Sequence, residues 1–128
     1  MKQIVVTAGL MIDGDRVLLA QRYPDDSEGG KWEFPGGKVE FGEDPRETLT
    51  RELNEELGVL VKVGEVLEVT SEMKGDAQLI LIYFNCQILK GVPTPIECQQ
   101  VMWWSRKAVD ELIKPPADER FWKEIGKY

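Results

Sequence analysis

Three glutamates, Glu52, Glu55 and Glu56, fall within five consecutive positions and directly follow Arg51. On a helix turning about 100° per residue they would share an arc of roughly 100°. Alone, that is poor design. Glu52 and Glu56 repel at i, i+4, at roughly a few tenths of a kcal/mol, and both sit toward the negative end of the helix dipole. A hard divalent cation reverses both penalties. Mg²⁺ takes oxygen ligands, keeps several waters and is commonly shared with substrate phosphates. Gly36 and Gly37 precede the acids. Without side chains they let the backbone approach a ligand and offer carbonyls and amides. Arg51 can hold a carboxylate in a forked hydrogen bond. The bland alternative is a solvated acidic face, the common fate of clustered glutamates. The surrounding stretch argues against it.

A helix must carry these acids, and residues 44–58 specify one. Pro45 suits the first helical position, where its missing N–H costs nothing. Asp44 is then the N-cap, with Glu47 placed to complete a capping box. No Pro or Gly interrupts the run until Gly58, which fits the left-handed residue past a helix end. Leu49, Leu53 and Leu57 recur every fourth residue and form one apolar stripe.

Gly37, Glu43, Arg51, Glu52, Leu53, Glu55, Glu56, Gly58 and Val59 fill every fixed position of the pattern G-x5-E-x7-R-E-U-x-E-E-x-G-U, where U is bulky and aliphatic. In this the chain resembles the Nudix hydrolase family. The resemblance implies an α/β fold, an α/β/α sandwich around a mixed sheet. It also implies hydrolysis of a nucleoside diphosphate linked to another moiety, with Mg²⁺ or Mn²⁺ as cofactor. Trp32 to Lys38 (WEFPGGK) resembles the lead-in of MutT-type nucleoside triphosphate pyrophosphohydrolases, and Ala20-Gln21-Arg22 their CTP pyrophosphohydrolase branch.

The implied roles follow residue by residue. Glu52, Glu55 and Glu56 ligate metal, helped by the backbone of Gly36 and Gly37. Glu97, six residues before Trp103, adds a ligand or a base from a mobile loop. Glu52 or Glu97 takes the proton from the attacking water, and both remain open. Glu43 supports the loop and helix start. Arg22 and Lys38 are phosphate ligands, against a plain reading as surface charges. Phe34 walls the base or packs in the core. Asp118, in Pro116-Ala117-Asp118, reads the base or caps the last helix. As a carboxylate it accepts from an exocyclic amine, and if protonated it donates. The expected reaction converts a nucleoside triphosphate to monophosphate and pyrophosphate, clearing unwanted or damaged nucleotides.

Composition narrows the alternatives. With 128 residues, average apolar content and no repeat or linker, one domain over 1–128 is expected. A net charge of −7 without a basic patch gives no footprint for duplex nucleic acid or an anionic membrane. No histidine is present, which excludes Ser-His-Asp and Cys-His machinery and His-ligated zinc. The base must be a carboxylate or a metal-activated water. Cys86 and Cys98 are too few for a disulfide framework. No signal region or membrane-length apolar run occurs, so a reducing cytoplasm is the default. The resemblance implies a small nucleotide as partner, and both a monomer and a homodimer stay open.

The rest of the chain reads as scaffold. Strands are expected at 4–12, 16–22, 32–34, 77–89 and 101–104, and a strand broken at Gly64 at 59–72. Residues 38–41 pair briefly. Residues 23–31 and 91–99 are loops. Short helices follow at about 105–113 and 117–125. Competing substrates fare less well. ADP-ribose hydrolases of the family carry a Pro about sixteen residues past the box, and here none lies between Pro45 and Pro93. Dinucleoside polyphosphate hydrolases carry a Tyr in a similar region, and Tyr83 falls later. Nucleotide sugars stay open. A non-catalytic binding module tends to lose box acids, and this chain has lost none.

Overall fold

A computed structural model describes residues 1–125. The elements run β1 (Lys2–Asp13), β2 (Arg16–Gln21), β3 (Trp32–Glu33), β4 (Gly36–Lys38), α1 (Pro45–Leu57), β5 (Leu60–Lys74), β6 (Ala77–Lys90), β7 (Gln100–Ser105), α2 (Arg106–Glu111) and α3 (Pro116–Ile125). The strands form one mixed sheet. Its main path is β3-β2-β1-β6-β5, with β4 on β1 and β7 on β2. Among the described residues, only β1 and β6 pair in parallel, from Lys2 opposite Ala77 to Met11 opposite Cys86.

Side chains alternate between the faces with the period of two that a strand imposes. Val17 and Leu19 of β2, with Leu81 and Tyr83 of β6, enter one core beneath Val109 of α2 and Ala117, Phe121 and Trp122 of α3. Leu18 of β2, with Phe84 and Cys86 of β6, enters the other beneath Leu49, Leu53 and Leu57 of α1. The expected α/β/α sandwich is present.

One edge of β1 is shared, and this places the site. β2 pairs only at its end, Ile12 with Val17 and Asp13 with Arg16. Its earlier part, Val6 to Ala8, takes β4 instead. The backbone of Gly36 and Gly37 is thereby built into the sheet beside α1.

The helix signals read correctly, with one exception. The Asp44 carboxylate accepts from Arg46 N at 2.8 Å, and Gly58 ends the helix at φ 71° with its N–H on the Asn54 carbonyl. The capping box does not form as expected: Glu43, not Glu47, turns back, accepting from Glu40 N at 3.2 Å and from the Thr48 hydroxyl at 2.6 Å. Two strand expectations also change. Gly64 does not break β5, because register shifts between Val63 and Val66 and between Val66 and Glu68 absorb the irregularity as bulges. The brief pairing expected at 38–41 falls earlier, on Gly36–Lys38.

Burial and capping differ in weight here. Leu53→Ala should cost about 2–5 kcal/mol through lost burial and a cavity, and Asp44→Ala about 1 kcal/mol. Urea unfolding of both variants checks that ordering.

Candidate active site

The leucine stripe seats α1 so that its acids face β4. Glu52 lies so near Gly37 that a Cβ there would stand 2.2 Å from the Glu52 carboxyl carbon. A side chain at Gly37 would push the Glu52 carboxylate aside. At Gly36 a Cβ would meet the Thr7 carbonyl oxygen at 1.9 Å. The Thr7 hydroxyl donates to the Gly37 carbonyl at 3.1 Å and holds that turn.

Arg51 organises the acids from the side. Its Nε and Nη2 fork onto Glu43 at 2.8 and 3.0 Å. Its Nη1 reaches Glu52 Oε1 at 3.0 Å and Glu55 Oε2 at 3.2 Å. It therefore positions carboxylates, and the forked partner is Glu43, the helix-start support. Those bonds, with that of Thr48, hold the Glu43 carboxyl down at about 2.

The other acids are pushed the opposite way. Burial raises Glu52, against the pull of Arg51, with Glu55 and Glu97 adding repulsion. Burial, then Glu33, Glu52 and Glu97, raises Glu56 to about 8. Glu97 reaches this cluster because its loop closes the end of α1. Thr94 N donates to the Leu57 carbonyl, and Ile96 N and Glu97 N donate to that of Glu56. These are the carbonyls a helix leaves unpaired at its C-terminus. The loop expected to be mobile is thus tied to the helix it serves.

A cleft of about 1160 Å³ opens beside this cluster. Glu52, Glu56, Gly36, Gly37 and Lys38 line one end, Phe34 and Asp118 lie deeper, and Arg22 lies on the wall. Glu55, Arg51 and Glu97 stand outside the lining. Lys38 is exposed and makes no ion pair among the described residues. Arg22, expected on phosphate, is instead engaged by Asp26 at 2.6 Å and Glu33 at 2.8 Å. Phe34 belongs to the core and also borders the cleft. It is 3% exposed and packs edge-to-face on Phe121 at 5.2 Å.

Asp118 is not a cap. It lies within the first turn of α3, is 5% exposed, and reaches across the cleft floor. Its Oδ1 accepts from the Tyr83 hydroxyl at 2.6 Å and its Oδ2 from Phe34 N at 3.1 Å. Burial pushes it up to about 7, against the Tyr83 hydrogen bond. Glu33 was missed as a site residue. It borders the cleft, grips Arg22, and is raised by burial. Its only sequence signal was a charge between Trp32 and Phe34, on the opposite face of a strand from both.

The donor set fits a hard divalent cation. Half-buried carboxylates with raised affinity for protons compete for positive charge beside a glycine backbone that leaves no side chain in the way. As they stand, no three acids among the described residues converge closely enough to hold an ion. Arg51 keeps Glu52 and Glu55 instead.

Comparison with known proteins decides the family. The model of the NUDIX domain matches residues 1–124. This chain is a member of the Nudix family. Among its relatives, the CTP pyrophosphohydrolase of Escherichia coli is 35% identical over 118 residues, 92% of this chain and 87% of the relative. The putative 8-oxo-dGTP diphosphatase 2 of Mycobacterium tuberculosis is 36% identical over 126 residues, 96% of this chain and 88% of the relative. The solution structure of the E. coli ORF135 protein superposes with a TM-score of 0.86 at 32% identity, over 99% of this chain and 91% of that one. The Nudix chain is therefore a hydrolase, a Nudix pyrophosphohydrolase. No helix among the described residues is long and apolar enough to cross a membrane.

Glu56 gives a signed pH prediction. Its ordinary value near 4.5 rises to about 8 in the fold. Its stabilising contribution is complete below pH 4.5 and is lost as pH rises through about 8. Without divalent ions, Glu56→Gln should remove that part of the loss, on the order of 5 kcal/mol at most by pH 8.5. Urea midpoints measured against pH in chelator, compared with wild type, check it.

Proposed function

We propose that this enzyme hydrolyses nucleoside triphosphates to the monophosphate and pyrophosphate, using Mg²⁺ or Mn²⁺, and so removes unwanted nucleotides. One observation carries this reading. The carboxylate and glycine end of the cleft is continuous with a buried end formed by Phe34, Leu81, Ala117 and Asp118. A single ligand would need a polyphosphate at one end and a flat, partly polar ring at the other. The activities for which the relatives are named, on CTP and 8-oxo-dGTP, agree with that shape.

Charge explains the metal. A polyphosphate would be repelled by Glu52 and Glu56 unless a cation lay between them. Glu52, Glu55 and Glu56 would hold it, with the Gly36 and Gly37 backbone and Glu97 alongside. When bound, the ion supplies charge neutralisation and a lowered pKa for water. Lys38 receives phosphate oxygens. Glu52 is the favoured general base, because it lines the cleft whereas Glu97 does not. Arg51 occupies its Oε1 and leaves Oε2 to take a proton.

Asp118 reads the base. Both its oxygens already accept from the protein, which fixes the carboxyl group in place. With its affinity for protons raised to about 7, it can accept from an exocyclic amine when ionised and donate when neutral.

Two expected outcomes test these assignments. Glu55→Gln should lower Mg²⁺-dependent pyrophosphate release by more than about 100-fold while the urea midpoint barely moves. Turnover near wild type would reject the metal assignment. Asp118→Ala should change the ranking of bases across canonical and oxidised triphosphates. Equal losses on all of them would mark Asp118 as structural.

A further inference from the structure

Lys114 stands outside the machinery described above, yet its side chain is 0% exposed. Its Nζ donates to the carbonyls of Val109 at 2.5 Å and Leu112 at 2.8 Å. It pairs with Glu119 Oε2 at 3.1 Å. The three N–H groups of an ammonium thus find three acceptors. Two lie at the end of α2, and the third lies in the first turn of α3 beside Asp118.

The same corner is tied to the sheet. Trp32 N donates to the Ile113 carbonyl at 2.9 Å. Two residues later, Phe34 N donates to Asp118. The helix that carries Asp118 and the segment after β3 that holds its oxygen are both referenced to residues 112–115. Pro115 and Ala117 line the cleft on either side of Pro116. A short helix could end on glycine or water. Burying an ammonium is costlier, since desolvation takes several kcal/mol before its partners return it. What the lysine adds is a directional link from α2 to α3, across the prolines.

We propose that Lys114 is a specificity-determining positioning residue that locks the α2–α3 corner and sets how far Asp118 reaches into the cleft. This rests on Asp118 reading the base. The effect belongs to base discrimination and leaves the phosphate end untouched, because no atom of Lys114 lies in the cleft lining.

The test compares wild type, Lys114→Met, Glu119→Ala and Asp118→Ala. Dissociation constants for a panel of nucleoside monophosphates are measured by calorimetry, and kcat and KM for the matching triphosphates with Mg²⁺. Lys114→Met should raise KM and Kd for the preferred base by about 10-fold, as expected for a misplaced contact, with kcat within about threefold. The ratio between best and worst bases should fall toward that of Asp118→Ala. Adding Lys114→Met to Asp118→Ala should change that ratio no further. Glu119→Ala should narrow the ratio about two- to threefold, and it decides the matter should Lys114→Met fail to fold. If Asp118→Ala narrows the ranking but the corner variants leave it intact, the role of Lys114 is refuted alone. If Asp118→Ala leaves the ranking intact, base reading falls and this inference falls with it.

Discussion

Like charges stay together here because apolar contacts outweigh their repulsion. Leu49, Leu53 and Leu57 are each 0% exposed. Burying a leucine stabilises by about 1.5–3 kcal/mol, against roughly a few tenths for an exposed like-charge pair on a helix. The stripe therefore decides where α1 sits, and the acids go where the stripe leaves them. They end against Gly37, where a side chain would collide with Glu52. The repulsion is not lost. Together with burial, which acts more strongly, it appears as the raised proton affinity of Glu52 and Glu56, and that affinity also favours a divalent cation.

The two ends of the cleft use electrostatics differently. At the box, Arg51 distributes its N–H groups over Glu43, Glu52 and Glu55. Glu43 is held ionised and becomes the fixed point from which Arg51 reaches the others. At the far end, Asp118 lies among Tyr83, Phe34 and Phe121, and Tyr83 stacks on Phe121 at 4.0 Å. There, burial dominates, and hydrogen bonds from Tyr83 and Phe34 orient a carboxyl group near its midpoint. One end concentrates negative charge and calls for a cation. The other presents a fixed, buried carboxyl group that can accept or donate according to its protonation.

How much could be read in advance depended on range. Asp44, Pro45, Gly58 and the leucines act within one helix, and all did what local rules say. Glu47 did not close a capping box, and Glu43, held by Arg51, accepts from Glu40 N and the Thr48 hydroxyl at the helix start instead. Gly64 looked like a strand break, but pairing with β6 carried the strand through it. Arg22 looked free for phosphate until the fold put Glu33 beside it. At Gly64 a tertiary partner overrode a local preference, and at Arg22 the fold added a tertiary partner, Glu33, to the local one, Asp26.

The box itself needed no structure. Its spacing places the acids, the arginine and both glycines on one helix and its flanks, and helix geometry does the rest. The position of Asp118 did need one. Its partners, Phe34 and Tyr83, lie 84 and 35 residues away in sequence. The same holds for Lys114, whose burial depends on how α2 meets α3. A periodic pattern can show which face of an element is apolar. Which distant groups that face will meet is settled only when the sheet closes around them.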